Sequence, residues 1–170
     1  MNEDQKIVAV GAAGGVIGMA LTVWLLSRII PSPGIADTPA DRLAYALPWA
    51  VVAVLPLFFM VAAVGNERFK SEAIDPTRGK ESPTMIVNGR VVDNTLQQFT
   101  FFLVGMLALA VTLPHAWLAI VPSVAITFVL MRIAFWIGYR IKPVYRAFGF
   151  ASTAYMNFGL LIAAIWIGFS

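Results

Sequence analysis

The stretch Ala116–Tyr139, AWLAIVPSVAITFVLMRIAFWIGY, carries one charged side chain, Arg132, in an otherwise apolar run. A helix needs roughly 20 mostly apolar residues, at about 1.5 Å each, to cross about 30 Å of hydrocarbon. This stretch meets that length, and so do Ile7–Ile30, Leu43–Gly65, Thr95–Leu113 and Ala147–Phe169. Backbone polar groups in lipid are satisfied only by helices or by closed barrels. A barrel would alternate polarity over segments of about ten residues, whereas these runs are continuous and about twice as long. The expected fold class is an all-α integral membrane protein.

Composition agrees. The 170 residues are 59% hydrophobic and 12% charged, with a mean hydropathy of +0.81. Soluble domains carry about 25% charged residues, which excludes a water-soluble packing. Without cysteine there is neither a disulfide frame nor a thiolate metal site. A single histidine and scattered carboxylates argue against any protein metal site. Ile7–Ile30 exceeds the 7–15 apolar residues of a secretory signal, and its flank Met1–Lys6 is net acidic, so it reads as a retained helix.

Five crossings divide the basic residues unequally. One side receives Lys6, Arg68, Lys70, Arg78, Lys80, Arg90, Arg140, Lys142 and Arg146; the other receives Arg28 and Arg42. The positive-inside rule then puts the N-terminus and the loop Asn66–Asn94 in the cytoplasm and Ser170 outside. A bacterial inner membrane is the expected location. The same distribution accounts for the pI of 9.5 without nucleic acid as a partner. The one sizeable loop is too small for a second domain, so residues 1–170 form a single transmembrane domain.

Met85–Val92 has two readings. Asn88-Gly89 between β-branched runs suits a type I′ hairpin. Alternatively Ser82 caps a helix with Pro83 at its first position, tolerating Gly89 at about 1 kcal/mol. The helix is preferred, because it aligns Arg90, Asn94 and Gln97 on one face at i, i+4 and i+7.

Arg132, Phe135 and Tyr139 form a second stripe on the fourth span. Arg132 lies roughly 10 Å from the cytoplasmic end at 1.5 Å per residue, with snorkelling toward the interface as its relief. Arg146 opens the fifth span. Singly, these residues suit interhelical hydrogen bonds and headgroup contacts. Together they suit a small polyanion, with guanidinium forks for carboxylates and amides for a peptide backbone. Gly11-x-x-x-Gly15 and Gly14-x-x-x-Gly18 fit close helix packing.

The block Arg90-Val-Val-Asp-Asn94-Thr-Leu-Gln97-Gln98-Phe99 resembles the Arg-x-x-x-Asn-x-x-Glu signature of the membrane-associated proteins in eicosanoid and glutathione metabolism (MAPEG), which include microsomal glutathione transferases. Arg132-Ile-Ala-Phe135-Trp-Ile-Gly138-Tyr139, followed by Arg146-Ala-Phe-Gly149-Phe150, is similar to that family's Arg-x-x-Tyr-x-x-Gly-Tyr pattern and the basic residue after it. The resemblance implies a four-helix bundle assembled as a homotrimer, with glutathione as cosubstrate between subunits and Ile7–Ile30 as an additional N-terminal helix. By position it implies that Arg90 and Arg146 hold carboxylates, that Asn94 bonds the peptide backbone and that Tyr139 contributes to the pocket. Arg132 would line the same cleft as the catalytic residue, since a guanidinium near sulfur raises the thiolate fraction. Gln97 stands in place of the signature's Glu, which can pair with the tripeptide's ammonium. Gln98 stands where an aromatic is frequent, and Phe135 replaces a Tyr hydroxyl.

The expected function is a glutathione-dependent transferase or peroxidase acting on lipophilic small molecules that arrive from the membrane lipids. The alternative is a noncatalytic trimeric membrane protein, either a lipid-binding scaffold or an accessory subunit of a larger membrane complex. A transporter fits less well. It would place ionisable groups near the midplane or use broken helices.

Overall fold

The computed structural model describes residues 1–35 and 37–170, in which the long elements are five helices. They are α1 (Glu3–Ile29), α2 (Pro39–Phe69), α3 (Pro83–Thr112), α4 (Ile120–Ile141) and α5 (Ala147–Gly168). Each is long and apolar enough to cross a membrane, counting α4 and α5 with the single turns before them, His115–Trp117 and Pro143–Arg146.

Local chemistry sets the helix starts. Asn2 and Gln5 form a capping box on α1, with the Asn2 side chain accepting from Gln5 N at 2.8 Å and Gln5 Oε1 accepting from Asn2 N at 2.9 Å. Thr38 and Pro39 start α2, and Ser82 accepts from Met85 N at 3.0 Å to start α3. The hairpin alternative for 85–92 is therefore replaced by the helix. Gly89 sits in its interior with open space where a side chain would be.

α4 is the central helix, packed against all four others. Most of its span is buried, whereas α1 is largely exposed and therefore peripheral. The main core joins Ala46, Ala50 and Ala53 of α2 to Phe102 and Met106 of α3 and Phe128 of α4. The rings of Phe102 and Phe128 stack at 4.5 Å. The three alanines share one face of α2 at i, i+4 and i+7, letting that helix approach closely. Close van der Waals contact matters here because lipid offers no hydrophobic drive between helices.

α1 makes its widest contact with α5. Gly15 is buried at the crossing, and a Cβ there would run into the carbonyl of Phe148. Ser152 Oγ donates to the carbonyl of Gly15 at 2.8 Å, across the same seam.

The end of the bundle away from loop 66–94 is tied by charge. Arg42 Nη1 donates to the carbonyls of Val111 and Leu113, at 2.9 and 2.6 Å, which the end of α3 leaves without helical partners. Its guanidinium also pairs with Asp37. His115 Nδ1 lies 3.3 Å from Asp37 Oδ1, and its Nε2 lies 3.0 Å from the carbonyl of Pro33. The Arg42 hydrogen bond holds the Asp37 carboxyl below the usual carboxylate range, against desolvation, with His115 adding to the effect. At the opposite, basic end, Arg68–Glu81 and Ser82–Glu67 contacts join the end of α2 to the start of α3.

Candidate functional site

The long α3 helix carries Arg90, Asp93, Asn94 and Gln97 along successive turns toward the basic end. α4 brings Phe135 and Tyr139 alongside. Gly138 lets the turn 143–146 fold back on α4, since a Cβ there would approach the Tyr145 carbonyl at 2.8 Å. That turn delivers Arg146, and the start of α5 adds Ala147 and Phe150. These groups, with Val8 of α1, enclose a cleft of about 570 Å³.

Five of the six residues singled out in the sequence meet there: Arg90, Asn94, Gln97, Tyr139 and Arg146 all line the cleft. Arg146 Nη1 donates to the Tyr139 hydroxyl at 3.3 Å, and its guanidinium carbon lies 5.0 Å from the Tyr139 ring centre.

Arg132 departs from expectation. It is 0% exposed and is not on the cleft wall, so neither the lining position nor the snorkelling geometry holds. Its guanidinium donates to Thr153 Oγ1 (3.1 Å), Asn94 Oδ1 (3.0 Å) and Thr95 Oγ1 (2.7 Å). The guanidinium carbon lies 4.0 Å from the ring centre of Phe135, which lines the cleft in its place. Oxygens from α3 and α5 solvate the charge inside the protein, so it has no need to reach the interface. No carboxylate pairs with it among the described residues.

Gln98 also turns away from the cleft. Asn157 Nδ2 donates to its carbonyl at 2.8 Å and to its Oε1 at 2.9 Å, in the contact between α3 and α5. Thr153 and Asn157 escaped the sequence reading, although with Gly149 they mark one face of α5 at four-residue intervals. Asp93 escaped it as well, although it stands three residues after Arg90, within reach along the same helix. On the far side of α4, Leu55, Pro56, Phe59, Ile133, Trp136 and Ile137 help line an apolar trough of about 490 Å³. Trp136 Nε1 donates to Asn88 Oδ1 at 2.9 Å beside it.

A bundle of membrane-length helices with a guanidinium-lined cleft at its basic end defines a polytopic membrane protein. The chain belongs to the MAPEG family, whose family model matches residues 46–166. The match begins inside α2, so α1 lies outside it. The chain is also similar to Transmembrane protein 79 of Mus musculus, 23% identical over 116 residues. That alignment covers 68% of this chain and 29% of the mouse protein, so the chain spans under a third of that relative's length. No solved structure matches it.

Proposed function

We propose that the cleft at the basic end binds glutathione and directs its thiol at lipophilic electrophiles, making the protein a membrane transferase or peroxidase. The observation that carries this reading is the convergence of Arg90, Asn94, Gln97, Tyr139 and Arg146 on one cavity. Its volume falls within the range of small-molecule sites, about 300–1,000 Å³. Arg90 and Arg146 take the two carboxylates of the tripeptide, Asn94 bonds its peptide backbone, and Gln97 can bond its ammonium but does not neutralise it. The positive field of the guanidinium groups favours the thiolate. Arg132 acts here as a positioning residue, through Asn94, rather than by touching sulfur.

In this reading the basic end and the N-terminus face the cytoplasm of a bacterial inner membrane, Ser170 lies outside, and the assembly is a homotrimer. The lipophilic substrate enters sideways from the bilayer.

Isothermal titration of the purified protein in detergent tests the proposal. Glutathione should bind, and Arg90→Ala or Arg146→Ala should weaken it by at least about tenfold, or about 1.4 kcal/mol. Absence of heat at millimolar glutathione overturns it.

A second reading rests on Phe135 and Gln97, which give the cleft wall a ring without a hydroxyl and an amide without a charge. On that reading the protein is a noncatalytic trimeric scaffold for lipids or an accessory subunit of a larger membrane complex. Stoichiometric co-purification with another complex from native detergent supports it, and a homogeneous active trimer opposes it.

A further inference from the structure

We infer that Asp93 is the ammonium-recognising group of the cleft, so that the site selects a zwitterion with an amino-acid end over a plain polyanion. This rests on the glutathione reading and names what that reading leaves unassigned.

The first observation is where Asp93 stands. It lines the same cavity as Arg90 and Arg146, a carboxylate set among guanidinium groups. A pocket built only to hold anions gains nothing from it, because a like charge beside the ligand's carboxylates repels them.

The second is that Asp93 has no partner among the described residues. Asp4, Asp37, Glu72, Asp75 and Glu81 each pair with a cation. Asp41 accepts from Thr38, and Glu67 accepts from Ser82. Among the described residues only Asp93 and Glu3, in the exposed first turn of α1, hold neither kind of contact.

The chain makes an Arg–Asp pair at three-residue spacing elsewhere, Arg78–Asp75 at 3.0 Å. Arg90 and Asp93 have the same spacing and face the same cavity, yet they stay apart. Both charges are left available to something else.

The third is charge balance. Two guanidinium groups and one carboxylate match a ligand with two carboxylates and one ammonium, which is the charge pattern of glutathione with its thiol protonated. Gln97 follows Asp93 by four residues on the same face and is neutral, so it can accept from an ammonium without balancing its charge. Asp93 supplies that balance. The ammonium sits between Asp93 and Gln97, with its neighbouring carboxylate on a guanidinium.

The test compares glutathione with its deamino analogue, glutaryl-cysteinyl-glycine, by titration calorimetry on full-length protein in detergent. Wild-type protein should prefer glutathione by about tenfold, the order expected of one charge-assisted contact. Asp93→Asn is isosteric at an exposed position and should elute and melt like wild type. It should weaken glutathione by about the same factor, leave the analogue unchanged or tighter, and so abolish the preference. An Asp93→Asn protein that keeps the preference, or that weakens both ligands equally, overturns the inference. Wild-type protein that binds both ligands equally overturns it while sparing the functional reading. Wild-type protein that binds neither overturns both.

Discussion

Arg132 Nη2 lies 3.0 Å from Asn94 Oδ1, so a guanidinium with no exposed surface fixes the orientation of an amide on the cleft wall. Arginine only donates, which assigns the Asn94 oxygen to Arg132 and leaves the Asn94 NH₂ to offer a ligand. The deepest charge of the bundle thus reaches the cleft through one hydrogen bond.

Replacing Arg132 separates its two effects. A Met there keeps the volume but removes the donor to Thr95, Asn94 and Thr153, and a buried acceptor left without a partner costs about 1–3 kcal/mol. Arg132→Met should therefore lower the thermal midpoint. Glutathione affinity should fall by about tenfold, since Asn94 is no longer held. Thermal denaturation and calorimetry on one preparation check both halves.

Gly15→Leu forces a side chain against the Phe148 carbonyl and should part α1 from α5. Overpacking of this kind costs about 1–3 kcal/mol, visible as a lower thermal midpoint. Because Val8 of α1 forms part of the cleft wall, ligand affinity should drop with it. Ser152→Ala, which removes the hydroxyl shared between the carbonyls of Gly15 and Phe148, should cost about 0.6 kcal/mol.

Tyr139→Phe removes the hydroxyl that accepts from Arg146 at 3.3 Å. The fold should survive, because the ring still packs with Met60, Val91 and Phe135. Loss of one such hydrogen bond is worth about 1 kcal/mol, so glutathione binding should weaken severalfold in titration.

Asp37 predicts the direction of an acid effect. Its carboxyl sits below the ordinary value of 3.8 in the folded protein, chiefly through Arg42. A depressed pKa stabilises the fold above the unfolded value, and that contribution disappears as pH falls through the folded one. Wild type should therefore melt above Asp37→Asn at neutral pH. The gap should narrow below about pH 4 and close once Asp37 is protonated. A pH series of melting curves for the two proteins measures it.

The five helices were legible because a run of apolar residues long enough for a bilayer has few other solutions. The Ser82-Pro83 start of α3 was legible from capping chemistry, and the helical period then aligned Arg90, Asn94 and Gln97. Tyr139 and Arg146 entered through a resemblance of motif rather than from spacing. The burial of Arg132 was not legible. Helical period gives the face of a residue but not what the neighbouring helix places opposite, and Thr95 and Thr153 lie 37 and 21 positions away along the chain. Nothing in the sequence marked Arg42 and His115 as a tie between helix ends, for the same reason. The α3 carbonyls that Arg42 meets lie 69 and 71 positions away, and His115 lies 78 positions from Asp37, although Asp37 is only five from Arg42. Val8 gave no signal, because an apolar residue in a lipid-length run looks the same whether it faces lipid or a cavity.

The Gly15–Ser152 seam joins the earliest of the five helices to leave the ribosome to the latest. Until α5 has been made, the face of α1 that carries Gly15 lacks Phe148 and Ser152, the groups it packs on. Val8 waits in the same way for Arg146, Ala147 and Phe150 to come opposite it. The cleft is thus complete only once the segment after α4 is in place, since a chain ending at α4 holds most of the core but lacks Arg146, Ala147 and Phe150.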